Sequence, residues 1–186
     1  MKATIITDKE YSSETFQKLQ VSIVTFLKTK GFETEFINIG RDDLTYCMGC
    51  FGCWIQKPGE CVMNDLMTKI NQEYMNSATV IYLCPVIFGQ FSANIKNAID
   101  RSLPNMLPFF ETRQDGSTMH PPRYISYPKL IMIGYGDNLS EEDRQLFTDI
   151  NKKHRSHIEV LFYQNTENYI RDAFSDIKLE KVGGHL

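Results

Sequence analysis

Hydrophobic positions along the chain switch repeatedly between a short continuous or alternating pattern and a period near 3.6. Thr4 to Thr7 is a β-branched run broken by Asp8, which predicts a buried strand. Phe16, Leu19, Ile23, Phe26 and Leu27 then recur at helical spacing, and Gly31 supplies the stop. Thr34 to Ile39 alternates loosely and ends at Gly40, giving a second strand. Asn64 and Asp65 can cap a helix whose inner face is Leu66, Met67, Ile70 and Tyr74. Thr79 to Val86 is the most hydrophobic stretch and predicts a central strand. Ser92 can cap a helix carrying Ile95, Ile99 and Leu103. Lys129 to Gly134 predicts a fourth strand. Ser140-Glu141-Glu142-Asp143 resembles a capping box, with carboxylates at the positive end of the helix dipole. The helix it opens runs through Leu146, Phe147 and Ile150. Ile158 to Tyr163 predicts a fifth strand, and Tyr169, Ile170, Ala173, Phe174 and Ile177 a last helix.

Five strands alternating with helices imply a parallel sheet covered on both faces, with right-handed crossovers. The expected architecture is α/β: a flavodoxin-like three-layer sandwich with a five-stranded parallel sheet in the order 2-1-3-4-5. In such sheets a ligand sits at the carboxyl ends of the strands, at the switch point between strands 1 and 3. The loops that matter are then 8–15, 87–92 and 134–140, with 41–63 close by. Neither repeats nor linkers break the 186 residues, so one domain is expected, with an insertion at about 104–128. That segment holds five of the seven prolines together with Phe109, Phe110, Tyr124 and Tyr127. A connection so long and so aperiodic is uncommon unless it has a task. The aromatics favour burial, either over a ligand edge or against a second subunit.

Composition narrows the function classes. The net charge is −3 and the isoelectric point about 5.8, which gives no electrostatic footprint for nucleic acid or an anionic membrane. The longest apolar run, Val80 to Phe88, is nine residues and contains Pro85, too short to span a bilayer. Met1 to Ile6 is followed at once by Asp8, Lys9 and Glu10, a poor signal peptide, so a cytoplasmic protein is expected. Five cysteines in that compartment are poor candidates for structural disulfides. Four of them, Cys47, Cys50, Cys53 and Cys61, fall within fifteen residues, which suggests redox or metal chemistry. Cys84 ends an apolar run.

The loops divide the chemistry. In 8–15, Lys9, Ser12, Ser13 and Thr15 can hold a phosphate at the helix N-terminus. The same loop lacks glycine and carries Asp8, Glu10 and Glu14, so it also fits a plain capped helix start. No G-x-G-x-x-G or Walker sequence is present. In the segment Pro85-Val86-Ile87-Phe88-Gly89-Gln90-Phe91-Ser92, Gly89 permits close approach by a flat ring, and Gln90 and backbone N–H groups can reach ring carbonyls. Gly134-Tyr135-Gly136-Asp137 offers room and an aromatic wall after the fourth strand. Both are equally compatible with ordinary turns.

Cys47-Met48-Gly49-Cys50-Phe51-Gly52-Cys53-Trp54 followed by Pro58-Gly59-Glu60-Cys61 and Asn64-Asp65-Leu66-Met67 resembles the NADPH-dependent FMN reductase and iron–sulfur flavoprotein families. Their pattern there is C-x-G-C-x-x-C…G-x-C-x-x-x-D-D-M. Pro85 to Arg101 is similar to the same families' P-V-Y-F-G-x-x-S-A-x-L-K-x-F-I-D-R. The two stretches cover about a quarter of the chain. The departures are the first loop, where the families usually show a G-S-P-R type sequence, and Asn64, where an acidic pair is more usual.

The resemblance implies non-covalent FMN, dimers or tetramers, and electron flow from NAD(P)H through flavin to quinones, nitro compounds or protein acceptors. By position, 85–92 would line the isoalloxazine ring, Asp8 to Thr15 would hold the phosphate, and Gly134 to Asp137 would close the ring's other side. Flavin carries out hydride and electron transfer itself, so no catalytic base is nominated. His120 is the candidate for a residue over the flavin. His154, His157 and His185 have the character of surface or terminal residues, and Trp54 that of an anchor for the cysteine loop. Cys47, Cys50, Cys53 and Cys61 match the ligands of a 4Fe–4S cluster position by position. Zinc and free thiols that merely shape a glycine-rich loop are the alternatives. A flavin-fold electron carrier without turnover of its own is the second function class.

Overall fold

The computed structural model describes residues 1–154, 158–166 and 168–184; His157 and His185 lie outside the described residues. Five strands form the central parallel sheet: β1 (Lys2–Asp8), β2 (Glu33–Ile39), β3 (Thr79–Ile87), β4 (Lys129–Tyr135) and β5 (Ile158–Phe162). Their spatial order is β2-β1-β3-β4-β5, the expected 2-1-3-4-5, and every pairing within it is parallel. The helices are α1 (Glu14–Thr29), α2 (Leu66–Asn76), α3 (Ala93–Asp100), α4 (Glu141–His154) and α5 (Tyr169–Ala173).

Side-chain parity on the buried central strands separates two cores. Val80, Tyr82, Cys84 and Val86 of β3 pack with Leu130 and Met132 of β4 against Ile70 and Tyr74, Ile95 and Ala98, and Phe147 of α2, α3 and α4. Ile81 and Leu83, with Ile131, Ile133 and Tyr135, face the other way onto Leu19, Ile23 and Leu27 of α1 and Ile170 of α5. β3 therefore reads as one continuous apolar run because both of its faces are buried. Among the described residues no helix is long and apolar enough to cross a membrane.

The caps follow the sequence with one exception. The Asp65 carboxylate accepts from the Met67 N–H. Ser140 and Asp143 exchange bonds reciprocally, Asp143 N to Ser140 Oγ at 3.1 Å and Ser140 N to Asp143 Oδ2 at 3.3 Å. Ser92 stands at the N-cap of α3 but its side chain makes no capping bond; its hydroxyl donates to Asp8 instead. The last helix is shorter than its apolar spacing suggests, because the chain leaves helical geometry at Phe174.

The proline-rich segment is less irregular than its composition implies. A short helical turn (Leu103–Asn105) leads into a two-stranded ladder, Glu111–Thr112 with Thr118–Met119. Ser126–Tyr127 then pairs with Val182–Gly183. Tyr127 is buried: its hydroxyl donates to the Asn105 carbonyl and accepts from the N–H groups of Arg123 and Tyr124. Phe109 and Phe110 remain exposed.

Candidate functional site

The cysteine loop is assembled from α3 outward. Asn97 and Arg101, four residues apart, lie on one face of that helix and its end. Asn97 Nδ2 donates to the Leu44 carbonyl at 3.2 Å, and Arg101 Nη1 to the Thr45 carbonyl at 3.0 Å. Arg101 also donates to the Asp65 carboxylate through Nη1 and to Cys61 Sγ through Nη2, the latter at 3.2 Å. Arg101 is 2% exposed. Thr45 completes the clamp, giving both its N–H and its hydroxyl to Asp65. Both ends of the cysteine segment are thus tied to one ion pair whose arginine is buried and whose aspartate is half-buried.

Within the segment, a single helical turn (Gly52–Ile55) carries Cys53 and Trp54. Phe51, which precedes it, is left-handed. Gly52 is required because a Cβ there would stand 2.6 Å from Val62 Cγ1. Trp54 stacks on Phe51 with ring centres 5.5 Å apart, and its indole N–H is shared between the carbonyls of Leu103 and Met106. It anchors the loop, as its sequence context suggests. His120 packs beside the cysteine loop: its ring meets Trp54 at 4.8 Å and Phe110 at 4.7 Å, and its Nδ1 bonds the Phe109 carbonyl.

Cys47, Cys50, Cys53 and Cys61 line one small, open pocket beside Arg101. Cys47 and Cys50 are exposed, Cys53 and Cys61 half-buried. Burial, and then the neighbouring cysteines, push the Cys53 thiol up. Among the described residues no three His, Cys, Asp or Glu side chains converge on a point that would hold one metal ion. A four-iron cluster spreads its four thiolates around a cube, and a pocket walled by four cysteines fits that donor set. Burial raises the Asp65 carboxyl, but bonds from Arg101, Thr45 and the Met67 N–H outweigh it and hold the carboxyl at about 2.

The three switch-point loops do meet at the carboxyl edge, and they bond to one another. Asp8, at the end of β1, is 1% exposed. Its carboxylate accepts from Ser92 Oγ at 2.6 Å, Asn94 Nδ2 at 3.0 Å and the Glu10 N–H at 2.9 Å. Thr15 Oγ1 donates to Asp137 at 2.8 Å, and the Tyr135 hydroxyl to the Tyr11 carbonyl at 3.0 Å. Burial, with Cys84 and Asp8 nearby, raises Tyr135 well above the ordinary phenol range. Ser13 caps α1 by accepting from the Phe16 N–H.

Pro85 to Ser92 is a hairpin as well as a strand end. Val86 and Ile87 pair antiparallel with Phe91 and Gln90. Phe88 and Gly89 form the turn, both with positive φ, 50° and 70°, the signature of a type I′ connection. Phe88 is left 89% exposed. On the side where a Cβ would stand, the glycines of these loops face the chain itself. A Cβ at Gly89 would meet Leu146, at Gly134 Val86 and Phe162, and at Gly136 Leu139. Ser12, Ser13 and Thr15 stand at the start of α1, whereas Asp8 draws its side-chain donors from Ser92 and Asn94 at the start of α3.

The model of the NADPH-dependent FMN reductase family matches residues 13–111, just over half of the chain. The chain belongs to that family. Two curated relatives are similar to part of the chain. An iron–sulfur flavoprotein of Archaeoglobus fulgidus is 37% identical over 78 residues, 42% of this chain and 34% of that protein. One of Methanocaldococcus jannaschii is 35% identical over 80 residues, 43% of this chain and 40% of that protein. The match therefore spans well under two thirds of each relative. In fold, this FMN reductase family member is similar to the NAD(P)H:quinone oxidoreductase of Methanothermobacter marburgensis. The TM-score is 0.60 at 13% identity, covering 93% of this chain and 90% of that one. The flavodoxin-like architecture is thereby established.

Sequence reasoning passed over Asp65, Asn97 and Arg101 as functional residues. The signal was present in the Asn97–Arg101 spacing and in an arginine closing an otherwise apolar helix face. What it lacked was the partner, 36 residues upstream at Asp65.

Proposed function

We propose that the chain is a flavin-dependent oxidoreductase that passes electrons from NAD(P)H through FMN to a 4Fe–4S cluster held by Cys47, Cys50, Cys53 and Cys61. The electrons then leave to a small-molecule or protein acceptor. The observation that carries the reading is that the four cysteines line one pocket against a buried arginine. Family membership supports the flavin, and the relatives' names support the cluster. The cluster would supply one-electron transfer when bound. The chain's own contribution is to hold the thiolates at fixed spacing and to offset their charge with Arg101. The flavin ring is assigned to Pro85, Val86, Ile87, Phe88, Gly89, Gln90, Phe91 and Ser92 on one side and Gly134, Tyr135, Gly136 and Asp137 on the other. Lys9, Ser12, Ser13 and Thr15 border its ribityl end.

The working assembly is a homodimer or tetramer in the cytoplasm. Exposed Tyr46, Met48, Phe51 and Ile55 beside the cysteines, and Phe109 and Phe110 on the inserted segment, form apolar surface of the kind a subunit contact covers. The reading is tested by adding NADPH or NADH to anaerobic, flavin-loaded protein and then a quinone. Bleaching of the flavin absorbance followed by its return is expected. A flavin that neither nicotinamide bleaches would overturn the oxidoreductase assignment and leave an electron carrier.

A further inference from the structure

A polar groove lies beside the cysteine pocket, and Cys61 is the one residue that lines both. The groove holds about 280 Å³ of open space, at the lower end of small-molecule sites, which run to roughly 300–1,000 Å³. Thr68, Asn71, Gln72 and Asn76 of α2 line it at helical spacing. Asn105, from the short helical turn of the inserted segment, and Tyr124 also line it. Gly59 makes room for Tyr124: a Cβ there would stand 3.2 Å from the phenol oxygen, at a φ of 91°.

The polar groups of the groove are donors without partners. Asn71 and Asn105 are 8% and 1% exposed, and Asn105 Nδ2 donates to Asn71 Oδ1 at 2.9 Å. That bond occupies the Asn71 oxygen and leaves its Nδ2 buried without a partner. A buried donor left unpaired is rare and unfavourable, so an oxygen brought from outside the chain gains more there than on open surface. The side chains of Thr68, Gln72 and Asn76 and the Tyr124 hydroxyl make no hydrogen bond to another described residue. A solvated helix face accounts for exposed Gln72 and Asn76, but not for a buried amide with its nitrogen unpaired. Among the described residues no lysine or arginine lines the groove, and Glu60 is its single carboxylate. An anion finds no counter-charge there.

We propose that this groove is a site for the electron acceptor, separate from the flavin face, and that it takes a neutral ring compound whose oxygens only accept hydrogen bonds, of the quinone kind. The groove offers amide and hydroxyl donors, and a molecule seated in it lies against Cys61. Electrons leave on the Cys61 side, a route that rests on the cluster reading above and deepens it. The overall step is NAD(P)H + H⁺ + quinone → NAD(P)⁺ + hydroquinone. Each carbonyl oxygen gains one electron and one proton, and its C=O double bond becomes C–O–H.

The probe is tetramethyl-1,4-benzoquinone, whose substituted ring does not add thiols. Its binding to the oxidised, flavin-loaded protein is measured by equilibrium dialysis, and its reduction by steady-state kinetics with NADPH or NADH. Two variants are compared with the natural chain, each checked for folding by thermal unfolding. Asn71→Leu removes the unpaired donor. Gln72→Ala with Asn76→Ala removes two exposed donors and places the best helix former at both positions, so its folding does not depend on the buried amide pair. The natural chain should bind the quinone with a Kd of about 1 mM or tighter. The double variant should weaken binding and raise KM together by about tenfold, the loss of two ordinary hydrogen bonds, with kcat nearly retained. With separate sites, excess quinone should not compete with the nicotinamide. Quinone that competes with NAD(P)H in the natural chain overturns the proposal, as does iron-loaded double variant that binds and reduces the quinone like the natural chain. Iron-free protein whose groove still binds quinone overturns the cluster reading and with it the exit through Cys61, an outcome that iron analysis separates from failure of the groove.

Discussion

Arg101 shows how one side chain can serve fold and chemistry together. Its guanidinium is buried, and its strongest partner, Asp65, also caps α2 and receives two bonds from Thr45. Removing one member of such a pair leaves the other uncompensated, which typically costs about 3–5 kcal/mol. Arg101→Met should therefore lower the urea midpoint sharply, and Arg101→Lys, which keeps the charge but loses the fork, should lower it less. The same pair predicts an acid limb. The Asp65 carboxyl lies at about 2 in the folded chain against an ordinary 3.8. A depressed carboxyl contributes stability that is complete above the unfolded value and is lost as pH falls through the folded one. The contribution, on the order of 2 kcal/mol, should fade between about pH 4 and pH 2. Asp65→Asn should flatten that limb in urea titrations taken across the range, while lowering stability at neutral pH. An unaltered limb would mean that Asp65 is not the group responsible.

The element that departs most from expectation is the hairpin at the end of β3. A phenylalanine with φ of 50° and almost full exposure is unfavourable on its own terms, since a left-handed non-glycine residue costs roughly 1–2 kcal/mol. Phe88→Asn, which tolerates that conformation, should raise stability by about 0.5–1 kcal/mol in thermal unfolding. If the ring faces flavin or a partner, it should also weaken turnover or assembly. Gly89→Ala should do the reverse, because its Cβ would stand 2.8 Å from Leu146 Cδ2 at a positive φ; a loss of about 1–2 kcal/mol is expected. The strands, α1 to α4 and the sheet order were legible in the sequence because periodicity and parity are local properties. The hairpin was not, because Phe88-Gly89 is an unusual I′ pair and the run before it hides its turn. The Asp8–Ser92 bond spans 84 residues, a separation at which no local pattern can speak. The cysteine pocket was legible from spacing alone, whereas the arginine that organises it needed the fold.

At the scale of the molecule, residues 104–128 are braced internally by Tyr127 and Arg123 and pair with Val182–Gly183; Tyr127 packs in the core with residues of β3 and β4, and Trp54 ties the segment to the cysteine loop. We take the chain to be a single domain on that basis, and expect one cooperative unfolding transition reported alike by tryptophan fluorescence and circular dichroism. Phe109→Asp with Phe110→Asp should dissociate the assembly without lowering monomer stability by more than about 0.5 kcal/mol, as read by light scattering and urea unfolding.

The central claim is that the four-cysteine pocket of this flavin reductase family member holds a cluster. Iron and acid-labile sulfide, measured on protein purified without exposure to oxygen, test it most directly. The account predicts about four of each per chain, with both lost in Cys50→Ala while flavin is retained. Flavin-loaded protein that has never met oxygen and contains neither iron nor sulfide would contradict it.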